Sequence, residues 1–318
     1  MSRWSSMQER VAFYLSCRRQ LGYALRIEGE QLQRFARYAD TRQHHGAITV
    51  ELALSWACAS KRSGPIGRAR RLGIVRTLAK FCAGFEPETE VPPPRLLGPA
   101  HRRLTPHIYT GEEMAQMLEA AGELAPGKRL RSATMQCLLG LLAATGLRIS
   151  EALHLQRNDV DLAQGLLCVR QTKFRKSRYV PLHPSACEAL AEYARERDRC
   201  LPLPRESAFL LLEDGRAIRY DQARYAFNQI RIRLGWNHSS GRSPRLYDLR
   251  HTFACHRLLA WYQEGIDVHS AMPLLATYLG HTKVTDTYWY LTAIPALMAI
   301  VSEHFEHWAA PCFEQVAP

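Results

Sequence analysis

Apolar residues recur at three- and four-residue steps through the first forty positions: Val11, Tyr14, Leu15 and Leu21, then Leu32, Phe35, Ala36 and Ala39. That spacing gathers them on one helical face, and Gly22 divides the run into two helices. Thr49 has the chemistry of an N-cap, with Glu51 just inside, for a third helix reaching Ala59. Pro65 and Gly67 break the next segment, and a fourth helix is expected from about Arg68 to Ala83. Four short helices with little strand signal predict a helical domain over residues 1–86.

Residues 87–108 differ in kind. Pro87, Pro92, Pro93, Pro94, Pro99 and Pro106 lie here with Arg95, His101, Arg102 and Arg103. Such a stretch is extended and semi-rigid, so it is read as a basic linker. Beyond it, residues 109–318 form a second domain. Thr110 and Glu113 make a capping box for a helix to about Ala121. Ser132 to Ala144 reads as a buried helix, and Gly146-Leu147 turns the chain into a short helix from Arg148 to Leu155. Leu166–Arg170 and Ser177–Leu182 read as strands joined by a turn with Lys173, Arg175 and Lys176. Pro184–Arg197 and Tyr220–Leu234 are helical, Ala208–Leu212 is a short strand, and Gly235–Pro244 is a polar loop. Helices are expected over Tyr247–Gln263, Ala271–Leu279, Val284–Tyr290 and Pro295–His307. The fold class is mainly α with a small antiparallel β-sheet.

Composition adds a partner. The chain has 318 residues, 47% of them hydrophobic, enough for two cores. Its net charge is +12, mostly from arginine, whose planar fork suits phosphate. Nucleic acid is therefore the first partner to consider. Lys61, Arg62, Arg68, Arg70, Arg71, Arg76 and Lys80 have no acidic residue between Glu51 and Glu86 to pair with. One-sided positive charge of this kind favours DNA-backbone contact over a merely solvated face. Arg102 and Arg103 extend it into the linker. Nine cysteines without a Cys-x-x-Cys pair argue against a disulfide framework or zinc site and for a reducing compartment. No apolar run approaches the roughly 18 residues of a membrane span, and the first ten residues lack the apolar core of a signal peptide. A cytoplasmic protein without cofactor or metal is expected.

Four segments carry chemistry. Thr145-Gly146-Leu147-Arg148-Ile149-Ser150-Glu151 sets an arginine and a glutamate three residues apart. Both are read onto one helical face, as either an ordinary intrahelical ion pair or a glutamate aiming an arginine fork. Gln171 to Leu182 forms a basic hairpin around Lys173. Tyr247-Asp248-Leu249-Arg250-His251-Thr252-Phe253-Ala254 opens a helix with an arginine in its first turn. Leu279-Gly280-His281 is followed by Tyr288, Trp289 and Tyr290. A phenol is a weak nucleophile near neutral pH, with a reference pKa of about 10. It becomes useful only where cations hold the electrophile.

Together these segments resemble the tyrosine recombinase (phage integrase-like) family. The likeness rests on Ala-Thr-Gly-Leu-Arg-Ile-Ser-Glu, Thr-Lys-x-x-Lys-Ser-Arg-x-Val-Pro-Leu, Asp-Leu-Arg-His-Thr-Phe-Ala, and Leu-Gly-His with a tyrosine nine residues on. It covers about Thr110 to the C-terminus. The resemblance implies a helical, SAM-like core-binding domain and an α+β catalytic domain, closing on DNA as a C-shaped clamp. It implies site-specific recombination, of integrase or transposase type, through a 3′-phosphotyrosyl intermediate that needs neither metal nor ATP. Arg148 and Arg250 would grip the scissile phosphate, with Glu151 orienting Arg148 and His281 adding a hydrogen bond. Lys173 would protonate the leaving 5′-oxygen, and Tyr290 would attack. A transposon-borne member is the nearest likeness, acting on double-stranded DNA as a homo- or hetero-tetramer. The apolar face of Pro295–Trp308 either packs on its own domain or docks on the next protomer.

One position departs from the family pattern. Histidine or lysine usually stands three residues before the second arginine; here it is Tyr247. Three outcomes are open: Tyr247 donates a hydrogen bond to the phosphate, His251 partly compensates, or the enzyme is slow. The first is favoured. The alternative to an active recombinase is a catalytically idle DNA-binding or assembly subunit. A type IB topoisomerase would share the chemistry without exchanging partners.

Overall fold

The computed structural model describes residues 4–60, 62–101, 105–124, 127, 129–170, 177–236 and 243–292. Lys61, Arg102, Arg103, Lys173, Arg175, Lys176 and the expected helix Pro295–His307 lie outside the described residues. Contacts divide the chain into two units, Met1–Leu104 and Thr105–Pro318.

The first unit holds α1 (Met7–Gln20), α2 (Arg26–Thr41), α3 (Val50–Cys58) and α4 (Pro65–Cys82). Thr49 caps α3, its hydroxyl accepting from the Leu52 N–H at 3.1 Å. Pro65 does not break α4 but opens it: proline at the first position of a helix loses no hydrogen bond, and its fixed φ suits the turn. Tyr14, Leu15, Phe35, Trp56, Leu72 and Leu78 share one core. Arg10, fully buried, forms an ion pair with Glu86 at 2.9 Å.

The proline-rich segment is strapped to this unit at least as far as Ala100. The Glu90 N–H donates to the Ile48 carbonyl (2.8 Å), and the Glu90 carboxylate accepts from the Val50 N–H (2.7 Å). Arg76 donates to the Pro92 carbonyl and Arg70 to the Ala100 carbonyl. Among the described residues, the basic side chains of α4 form no ion pair with a carboxylate, and several turn to main-chain oxygens instead. Arg68 donates to the Ser63 carbonyl, while Arg71 donates to the Trp56 carbonyl and lies 3.9 Å above the Trp56 ring. Arg62 and Arg70 remain exposed.

The second unit holds α5 (Gly111–Gly122), α6 (Arg129–Thr145), α7 (Ile149–Leu153), β1 (Val160–Asp161), β2 (Leu166–Val169), β3 (Arg178–Pro181) and α8 (Pro184–Cys200). After them come α9 (Tyr220–Arg233), α10 (Asp248–Gln263), α11 (Val268–Leu279) and α12 (Thr285–Tyr288). The strands form one antiparallel sheet in the order β1-β2-β3, with Leu167 opposite Val180 and both fully buried. The chain is thus mainly helical with a small sheet, as its pattern predicts. The capping box at Thr110 and Glu113 is present.

Three elements of the second unit differ from expectation. Ala208–Leu212 is no strand: Ala208 and Leu211 make only isolated bridges, to Gln156 and Ala217. Its apolar run reflects burial, with the Phe209 N–H tied to the Leu155 carbonyl at 2.8 Å. Helix α11 starts at Val268, three residues early, because the Asp267 side chain caps it. After Val284 the chain makes one turn of α12 and then a 3-10 turn over Trp289–Thr292. Among the described residues no helix is long and apolar enough to cross a membrane.

Candidate active site

Helix α6 ends at Gly146, which has φ +60°. A Cβ there would lie 2.5 Å from Cδ1 of Phe253, so glycine answers two demands, the left-handed turn and the close approach of α10. The turn places Arg148 at the N-cap of α7 rather than inside it. Glu151, at the third position of α7, accepts from the Arg148 N–H (3.0 Å) and from Arg148 Nη1 (2.7 Å). The pair is therefore no loose surface contact, since Glu151 is only 8% exposed.

Arg148 also donates through Nη2 to the Gly280 carbonyl at 2.9 Å. Arg250, in the first turn of α10 and 1% exposed, donates through Nη1 to the Gly146 carbonyl and through Nη2 to the Leu279 carbonyl, both at 2.7 Å. Its buried Nε has no hydrogen-bond partner among the described residues. Two arginines 102 positions apart in sequence thus converge on the turn after α11. That turn is possible because Gly280 is left-handed (φ +69°).

His281 follows directly. Its Nδ1 lies 2.7 Å from the buried Thr287 hydroxyl, and its ring stacks on Tyr290 at 6.1 Å with 17° between planes. Burial, reinforced by Arg250 and Arg148, pushes the His281 pKa down to about 4. It is a neutral imidazole at pH 7. Where the Thr287 hydroxyl donates to Nδ1, the ring proton sits on Nε2 and is free to donate.

Tyr290 is 3% exposed. Burial raises its pKa, and the neighbouring Arg250 opposes that rise. Tyr288 points elsewhere, its hydroxyl 3.0 Å from His269 Nδ1. The two phenols are thus separated as their spacing predicts. Tyr247 stands at the N-cap of α10, 46% exposed, its ring 4.9 Å from that of His251. His251 also meets the rings of Trp289 (5.1 Å) and Tyr290 (5.5 Å), and its buried Nδ1 has no hydrogen-bond partner among the described residues. Burial holds its pKa near 4. Below it, the fully buried Asp248 takes the Arg245 fork and so fixes the start of α10.

The site brings together Arg148, Glu151, Arg250, His281 and Tyr290, with Tyr247 close by beside His251. Residues 108–295 match the phage integrase family. The chain belongs to the phage integrase family. The putative integrase/recombinase y4rE of Sinorhizobium fredii is 38% identical over 295 residues, covering 93% of this chain and 94% of that protein. The tyrosine recombinase XerD of Bradyrhizobium diazoefficiens is 31% identical, covering 70% of each chain. Among solved structures, the Tn1549 transposon integrase in complex with a circular intermediate DNA superposes with a TM-score of 0.67 at 15% identity, over 90% of this chain and 95% of that one. This phage integrase family member is a tyrosine-type site-specific recombinase.

Two contributors escape the sequence reading. Arg178, the first residue of β3, donates twice to Glu151, and Thr287 holds His281. Arg178 sits in the quoted Lys-Ser-Arg run, where local pattern shows only another cation.

Proposed function

We propose that this recombinase cuts and rejoins double-stranded DNA through Tyr290, with Arg148, Arg250 and His281 on the non-bridging oxygens of the scissile phosphate. The observation that carries this reading is the convergence of both arginine forks on the Leu279–Gly280 turn, beside the His281 and Tyr290 rings. Guanidinium groups match phosphate geometry and stay charged. Attack forms a bond between the Tyr290 oxygen and phosphorus and breaks the bond to the 5′-oxygen. Arg250 favours the phenolate that attack requires, and Lys173 is the proposed donor of the proton to the leaving oxygen. Glu151 orients Arg148. Tyr247 donates a hydrogen bond at the position where the family pattern usually has histidine or lysine. Phosphate energy is conserved in the phosphotyrosyl link, so a second 5′-hydroxyl can reverse it with a new partner.

Arg62, Arg68, Arg70 and Arg71, with Lys61, Arg102, Arg103, Arg175 and Lys176, are proposed as backbone contacts. The exposed Arg62 and Arg70 suit this best; Arg68 and Arg71 also serve their own unit. Assembly into a tetramer on two duplexes, in the cytoplasm of a bacterium, completes the reading. The test is a nicked suicide duplex, which traps the covalent intermediate. Wild type and Tyr288→Phe should form the adduct and Tyr290→Phe should not. An adduct on Tyr290→Phe, or none on wild type, refutes the assignment.

A further inference from the structure

Arg178 has no role in the chemistry described so far, yet it shares Glu151 with Arg148 and bonds the turn that supplies the Gly280 carbonyl. Its side chain is 12% exposed. Nη1 donates to Glu151 Oε1 at 3.1 Å and Nη2 to Oε2 at 2.9 Å, a two-pronged pair. Arg148 uses the same two oxygens from the other side. A carboxylate held by a fork on one side cannot rotate without breaking two bonds, so the hydrogen bonds it accepts from Arg148 keep their direction.

A second link runs through the turn after α11. Arg178 Nε donates to the Tyr278 carbonyl at 2.8 Å. Its guanidinium lies so close to Gly280 that a Cβ there would be 2.8 Å from Nη1 and 2.9 Å from Cζ. This turn supplies the Gly280 carbonyl to Arg148 and the Leu279 carbonyl to Arg250. Charge points the same way. Glu151 alone would neutralise Arg148. Shared between two guanidinium groups, it leaves one net positive charge for a phosphate to meet.

We propose that Arg178 is a positioning residue, which through Glu151 and the Tyr278–Gly280 turn holds the Arg148 fork at the angle that binds the scissile phosphate. The proposal rests on the reading of Arg148 given above. It acts without touching DNA chemistry itself.

The test is single-turnover cleavage of the nicked duplex at saturating protein, with either a normal phosphodiester or a methylphosphonate at the scissile position. A methylphosphonate lacks the charge that Arg148 meets, so faults in Arg148 placement should matter little on it. Arg178→Met should slow cleavage of the phosphodiester about 10- to 100-fold, the cost of a misplaced reacting group. Its deficit on the methylphosphonate should fall to about threefold or less, because the missing electrostatic stabilisation is no longer needed. Arg178→Lys, which keeps the charge but loses the fork, should show the same pattern and serves if Arg178→Met does not fold. Equal deficits on both substrates would mean that Arg178 only supports the fold, and a wild-type rate for Arg178→Lys would mean that the fork is irrelevant; either overturns the proposal. An Arg148→Ala arm separates the two readings. If it shows no charge-dependent deficit, the assignment of Arg148 fails and the proposal falls with it. If it shows one and the Arg178 variants do not, only the role of Arg178 is lost.

Discussion

Glu151→Gln keeps the shape of the side chain and removes its charge. In the native protein the carboxylate takes four hydrogen bonds from two arginines. Burial alone would raise its pKa, but the bonds from Arg178 and Arg148 outweigh burial and draw it from 4.5 down to about 2. At about 1.4 kcal/mol per pH unit, that difference is worth about 3 kcal/mol of folding stability. The folded-state value is the lower one, so the unfolded chain takes up the proton first as pH falls. The contribution is whole above about pH 4.5 and fades towards pH 2, with about 1.4 kcal/mol left at pH 3. Urea unfolding of wild type and Glu151→Gln at pH 7 and pH 3, followed by circular dichroism, measures it. The variant should be less stable by about 3 kcal/mol at pH 7 and by about half of that at pH 3. A gap below about 1 kcal/mol at pH 7, or one that widens in acid, would refute the account of Glu151 as a carboxylate stabilised by two cations.

Gly146→Ala combines a left-handed backbone with a methyl group driven into Phe253 and should cost about 2–5 kcal/mol, read as a large fall in thermal midpoint. A midpoint unchanged within error would mean that the packing of α6 on α10 is looser than it looks. Tyr247→His restores the residue type expected from the family and should keep or raise the rate of suicide-duplex cleavage. Complete loss of cleavage would show that the phenol does more than donate one hydrogen bond.

Local chemistry made much of this molecule legible. The Thr110–Glu113 box, the Thr49 cap and the helical spacing of the first forty residues involve neighbours three or four positions apart, and these have the form expected except at Leu21, which caps α1 and is 70% exposed. So does the separation of Tyr290 from Tyr288, which follows from 100° per residue along a helical turn. The misses have physical reasons. Pro65 reads as a breaker because its ring forbids the interior of a helix, whereas at the first position it costs nothing. Ala208–Leu212 has the composition of a strand, but only burial could be read from composition, not the lack of a partner strand. Arg178 and Thr287 act across folded space. Arg178 meets a carbonyl 100 residues away, and no periodicity encodes such a meeting. The resemblance points to Arg148, Arg250, His281 and Tyr290; the groups that hold them are set by the folded chain.

The two arginine forks are steadied by the main-chain oxygens of Gly146, Leu279 and Gly280. A main-chain oxygen cannot be removed by changing a codon. The spacing between these cations is therefore set in part by the path of the chain itself. On the proposed reading, every DNA sequence offers these arginines the same phosphate, so one fixed grip would serve any target. For retargeting, residues 145–148 and 278–281 form a chassis to leave alone, and diversity belongs on exposed positions elsewhere. The glycines at 146 and 280 mark its limits, because there an added methyl group strains a left-handed backbone and meets the Phe253 or Arg178 side chain.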